Sequence, residues 1–178
     1  MTRITPLQFK DAFLTAVTSV DSQIVALWDE RRDYTALILD IVFPKIATEL
    51  GISVFNANYY YLDSIFYAER DGGHFGPTAT YAKCISIAME HEHDVTGTAV
   101  EMNKLQLFNA PLKVLITYAQ TEQMRSFYLD RYTKIVREAD IFADFATLRR
   151  SLVIFGSLSG QVVTWYFYAY DSSGFQVI

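Results

Sequence analysis

At 178 residues the chain is of single-domain size, and 51% hydrophobic residues, with 12 Tyr and 13 Phe against 20% charged residues, exclude a disordered composition. A formal net charge of -5 opposes a protein that coats itself in nucleic acid, although a local basic patch or a bound divalent metal can still attract a phosphate backbone. The single cysteine, Cys84, excludes an intrachain disulfide framework; no apolar run reaches the roughly 20 residues that cross a bilayer, and "MTRITPLQFKDAF" lacks a signal-peptide core, so a cytoplasmic protein with no membrane association is expected.

Residues 6–28 carry Leu7, Phe9, Phe13, Leu14, Val17, Val20, Ile24 and Leu27 at near-helical spacing behind the cap and first turn Thr5-Pro6. A second helix follows in "DYTALILDIVFPKIATELGI", kinked or split by Pro44 and stopped by Gly51. The aromatic stretch "YYYLDSIFYAER" from Tyr59 to Arg70 reads as a strand, with Gly72 and Gly73 in a turn before a second strand over 83–92 that would bury Cys84. The spacing of Val100, Leu105 and Phe108 predicts a short helix in "TAVEMNKLQLFNA".

"PLKVLITYA" at 111–119 is a compact strand, and a long helix is expected from 121 to 145, with Met124, Phe127, Tyr128, Tyr132 and Ile135 on its apolar side. "SLVIFGSL" and "QVVTWYFYAYD" form a hairpin about Ser159-Gly160. The expected fold is α/β: a mixed central sheet flanked by helices, in one domain over 1–178, with a helical portion at 1–51 and the sheet-bearing core at 52–178.

The charged end of the strand over 83–92 carries the chemistry. Glu90 and Glu92, two residues apart, share a sheet face, and His91 takes the other. Neighbouring carboxylates repel, and a proton or a divalent cation relieves them; oxygen donors of this kind suit magnesium or manganese. Asp63, alone in the apolar "YLDSIFY", meets Glu90 if the two strands pair antiparallel. The same spacing also fits acids that end a strand where solvent begins, with Glu101 and Lys104 as a surface i,i+3 pair.

"YYYLDSIFYAER", "CISIAMEHEH", "EMNKLQLFNA" and "PLKVLITYA" together resemble the core of the PD-(D/E)xK, or restriction-endonuclease-like, phosphodiesterases over roughly residues 45–135. The resemblance implies a Mg- or Mn-dependent nuclease acting on DNA, with Asp63 and Glu90 as metal ligands. The family's lysine would fall on Glu92, a departure from the usual pattern; Glu92 itself, or Lys104 on the following helix, is then the group that assists the attacking water. Glu49 is the nearest match to a further metal-binding acid on a preceding helix, with Glu101 as the alternative. A catalytically inactive binding or assembly protein on the same fold is the competing reading.

A mixed site using His93 needs the chain to turn back at Glu92, because His91 and His93 have the opposite parity. The last strand sets Thr164, Tyr166, Tyr168 and Tyr170 on one face, which suits a homodimer contact, burial under a helix or stacking against bases. Arg125, Arg131, Lys134, Arg137, Arg149 and Arg150, interrupted by Glu122, Asp130, Glu138, Asp140 and Asp144, give at most a modest phosphate-contact surface.

Overall fold

The computed structural model describes residues 3–74, 80–140 and 150–178. Residues 75–79 of the expected glycine-rich turn, the last part of the expected long helix, Asp144 and Arg149 lie outside the described residues.

The first helix, α1 (Pro6–Thr18), opens on a capping box: the Thr5 hydroxyl accepts the Gln8 N–H, and the Gln8 side chain accepts the Thr5 N–H. It is shorter than the spacing predicts, and α2 (Asp21–Leu27) restarts after Ser19-Val20. The junction carries Thr15, Val17, Thr18 and Ser19, weak helix formers, and the Thr15 and Ser19 hydroxyls donate back to carbonyls of the preceding turn.

The second expected helix is also divided, into α3 (Arg31–Leu37), a π-turn over Ile38–Val42 and α4 (Phe43–Leu50). The wide turn lies immediately ahead of Pro44, whose ring and missing N–H forbid an undisturbed α-helical ladder there. Gly51 ends α4 in the left-handed conformation, at φ 63°.

Among the described residues seven strands form one sheet in the order β1-β2-β5-β6-β7-β8-β9: β1 (Ser53–Phe55), β2 (Ser64–Tyr67), β5 (Ile87–His91), β6 (Leu112–Tyr118), β7 (Arg150–Ser159), β8 (Val162–Asp171) and β9 (Gly174–Val177). A separate two-stranded ribbon joins β3 (Gly72–His74) to β4 (Thr80–Ala82). Strands β5, β6 and β7 are parallel, and the remaining pairs in the main sheet are antiparallel. Helix α5 (Thr98–Gln106) lies between β5 and β6, and α6 (Glu122–Ala139) lies between β6 and β7. The mixed sheet flanked by helices is therefore as expected.

Alternation along the strands divides the core into two layers. Phe66, Met89, Val114 and Ile154 pack with Phe9, Phe13 and Ile46 of the N-terminal helices. Ile65, Ala88, Leu115 and Phe155 pack with Leu105 of α5 and Tyr132 and Val136 of α6. Among the described residues no helix is long and apolar enough to cross a membrane.

Several expected boundaries move. The strand expected from Tyr59 begins only at Ser64, because Asn58, Tyr60 and Tyr61 hold φ of 53°, 50° and 72° in a tight turn closed by a Tyr59–Leu62 bridge. The strand expected over 83–92 begins at Ile87, which leaves Cys84 exposed rather than buried. On α6 the buried side chains are Arg125, Tyr128, Tyr132 and Val136, whereas Met124 and Phe127 face solvent. The Arg125 guanidinium covers the Tyr166 ring at 3.7 Å and donates to the Ala119 carbonyl, so an arginine takes an inward position. The tyrosine face of β8 accordingly lies toward α6.

Tyr118 of β6 and Trp165 of β8 approach across Gly156, where an added Cβ would lie 2.8 Å from an atom of each ring. Gly156→Ala therefore overpacks this junction, with an expected loss of about 1–3 kcal/mol, measured as a lower urea midpoint at unchanged slope.

Candidate functional site

The β2–β5 ladder pairs Ser64 with Met89 in antiparallel register, so Asp63, one step beyond, falls opposite Glu90. Both residues share parity with Ile65 and Ala88 and thus face the α5–α6 layer. Asp63 is fixed by the neighbouring strand itself: its Oδ2 accepts the backbone N–H of His91 at 2.8 Å.

Helix α5 supplies the other charges. Thr98 begins it, with its hydroxyl bonded to the Val95 carbonyl at 2.5 Å and to the Tyr132 hydroxyl. Met102 and Leu105 are buried on the same helix, and Glu101 and Lys104, three residues apart, reach toward the end of β5. The Lys104 Nζ lies 2.9 Å from Glu90 Oε1, pairs with Glu101 Oε2 and donates to the Tyr61 carbonyl at 2.8 Å. Two acids and one carbonyl thus share one ammonium.

Glu90 is only 2% exposed. Burial pushes its pKa up to about 9, with Asp63 and Glu101 adding to the rise and Lys104 opposing it. Burial pulls the Lys104 ammonium down, but its bonds to Glu101 and Glu90 outweigh that and leave it above the ordinary lysine value. Two upward shifts on one contact describe a protonated Glu90 carboxyl accepting from the Lys104 ammonium, which also pairs with Glu101. Glu90 needs a proton or added positive charge.

The structure brings Asp63, Glu90 and Lys104 together, and adds Glu101. It does not bring Glu92 to them: β5 ends at His91, and the Glu92 Oε1 accepts the Asp94 N–H at 2.8 Å in the loop beyond. Its charge acts on His93 instead. Glu49 is exposed at the end of α4, beside Thr15 and Gln8 of α1 in the opposite layer. Among the described residues no group of three or more His, Cys, Asp and Glu side chains is arranged to hold a metal ion.

His91 and His93 serve the other side of the sheet. The His91 Nε2 is 2.7 Å from the Tyr118 hydroxyl, its ring stacks with Tyr34, and His93 lies against Tyr34 and Tyr118. Burial, reinforced by His93, lowers the His91 pKa to about 3, so the ring is neutral. Burial and the nearby Arg31 lower His93 as well.

Two features escaped the sequence reading. Lys113, buried on β6, donates to the Gln106 side chain at 3.1 Å, and a lysine inside "PLKVLITYA" was its only signal. The Tyr61 carbonyl as a partner of Lys104 leaves no mark on residue type. No family model and no curated protein matches this chain.

Glu90 gives stability a defined pH dependence. Below about pH 4.5 folded and unfolded chains both hold the proton, and between there and about 9 only the folded chain does. The stabilisation is therefore complete at the acid end and lost as pH rises through the folded value. Without metal, Glu90→Gln, which mimics the protonated acid, should gain stability relative to wild type as pH rises across this window, with a slope of at most about 1.4 kcal/mol per pH unit in paired denaturant titrations.

Proposed function

We propose that this chain is a metal-dependent phosphodiester hydrolase of the PD-(D/E)xK, restriction-endonuclease-like type, acting on DNA. One observation carries the reading: Asp63 and Glu90 share a face at adjacent strand ends, and the Lys104 ammonium stands 2.9 Å from Glu90. The mixed, helix-flanked sheet, with the second acid on the strand paired to the one that Asp63 opens, supports the finer fold assignment.

The donor set fits magnesium or manganese. Asp63 and Glu90 offer hard oxygens under local negative excess, and magnesium commonly takes one or two carboxylates and keeps water in its remaining positions. Asp63 and Glu90 would hold the ion, which when bound would polarise the scissile phosphodiester and lower the pKa of its water.

The chain's own groups do the positioning. The His91 N–H orients the Asp63 carboxylate, and the Lys104 ammonium at 2.9 Å holds the buried Glu90. Lys104, kept charged by Glu101 and Glu90, acts as a donor and a positive charge rather than as a base. It orients the attacking water or a phosphate oxygen. Glu92, engaged with the Asp94 N–H, is less suited to that task. The expected products carry 5'-phosphate and 3'-hydroxyl ends.

The second reading, an inactive binding or assembly protein, is favoured by the same lysine, since Lys104 already offsets Glu90 and Glu101 without any ligand. Calorimetric titration with manganese and nicking of supercoiled DNA separate the two. Wild type should bind the ion, and Glu90→Gln should lose more than the roughly 10- to 100-fold that removal of an outer-shell partner causes. Lys104→Met should keep the ion and lose about 100- to 1,000-fold in nicking rate. Absence of carboxylate-dependent binding at millimolar manganese would leave the assembly reading standing.

A further inference from the structure

The turn over 58–62 is bound to the acid cluster through the Tyr61 carbonyl, which accepts from Lys104 at 2.8 Å. Delivering that carbonyl asks only for a residue that tolerates a left-handed backbone, for which glycine and asparagine are the least strained choices. The chain instead places tyrosines there, at φ 50° and 72°, with 73% of Tyr60 and 80% of Tyr61 exposed to solvent. Bulky residues in this region are conformational outliers, and such outliers cluster at sites that act on ligands.

The Tyr60 ring stands on a built support. Tyr60 meets Tyr59 edge to face at 4.9 Å, Tyr59 meets Phe55 of β1 in the same manner at 6.1 Å, and the Tyr59 hydroxyl accepts the Ala82 N–H at 3.2 Å. The next residue after Ala82 is the exposed Lys83. Two open aromatic rings therefore stand on the turn that leads into Asp63, two residues beyond Tyr61, with a second cation, Lys83, next in sequence to the ribbon that braces Tyr59.

We propose that Tyr60 and Tyr61 form a stacking platform for unpaired DNA bases, seating a single strand beside the Asp63–Glu90–Lys104 cluster. Aromatic faces accept any base, and lysines beside them suit the backbone that links successive bases. A paired duplex hides those faces, so the platform selects single-stranded or locally opened DNA. This deepens the nuclease reading and rests on it for the purpose of the strand, although binding is testable apart from cleavage.

The test is a titration of a single-stranded DNA oligonucleotide carrying a fluorescent base analogue, at low ionic strength with chelator present, against the wild-type chain and the Tyr60→Gly, Tyr61→Gly, Tyr60→Phe and Tyr61→Phe variants. Glycine accepts the left-handed backbone, so it removes each ring without adding strain. A second oligonucleotide keeps the backbone but has abasic sugars throughout, and a third is the matching duplex.

Wild type should quench the analogue and prefer the single strand to both others. Each glycine variant should lose roughly 5- to 150-fold in affinity for the single strand, with unchanged affinity for the abasic one, and each phenylalanine variant should bind as wild type. Equal binding of basic and abasic strands by wild type, no loss in the glycine variants, equal losses on both strands, preference for duplex, or no DNA binding would overturn the platform. Manganese calorimetry on the wild type keeps the two readings apart: intact ion binding without base-dependent strand binding overturns the platform alone, and base-dependent strand binding without ion binding overturns the nuclease alone.

Discussion

The Lys104 ammonium joins three pieces of chain that meet at the end of β5: the strand through Glu90, the helix through Glu101 and the turn through the Tyr61 carbonyl. A buried acid with no nearby cation would be expensive, and so would a left-handed turn with nothing to hold its carbonyl. One side chain offsets both costs. The placement of α5 against the sheet is thus tied to the charge of the site as well as to the burial of Met102 and Leu105.

The alternation of β5 keeps two chemistries apart. Glu90 turns toward the α5 layer and meets charge, whereas His91 turns toward the N-terminal helices and meets Tyr34 and Tyr118. Both environments are buried, yet burial acts on them in opposite electrostatic senses: it favours the proton on the carboxyl and removes it from the imidazole, so each side chain is driven toward its neutral form. Only the carboxyl has a cation beside it that can compensate for ionisation.

Much of the sheet was legible in the sequence because its signals are local. The β7–β8 hairpin announces itself in alternating apolar residues about Gly160, and the pairing of Asp63 with Glu90 follows from a two-residue period once the strands are antiparallel. The aromatic turn was not legible, since Tyr59 to Tyr61 have the composition of a strand and their backbone is held by a lysine more than 40 residues away. Glu92 failed for a related reason: parity predicts a face only while the strand continues, and β5 ends one residue earlier. The short β1 and β9 carry too few residues to show a period, and Arg125 reads as a surface charge until Tyr166 is set beneath it.

The bond that steadies Asp63 is donated by main chain rather than by side chain. Any replacement at position 91 except proline would leave that donor in place, so the ring there is free to change with the demands of the opposite layer while the acid keeps its orientation. A single residue can in this way drift in one half of the molecule without disturbing the other.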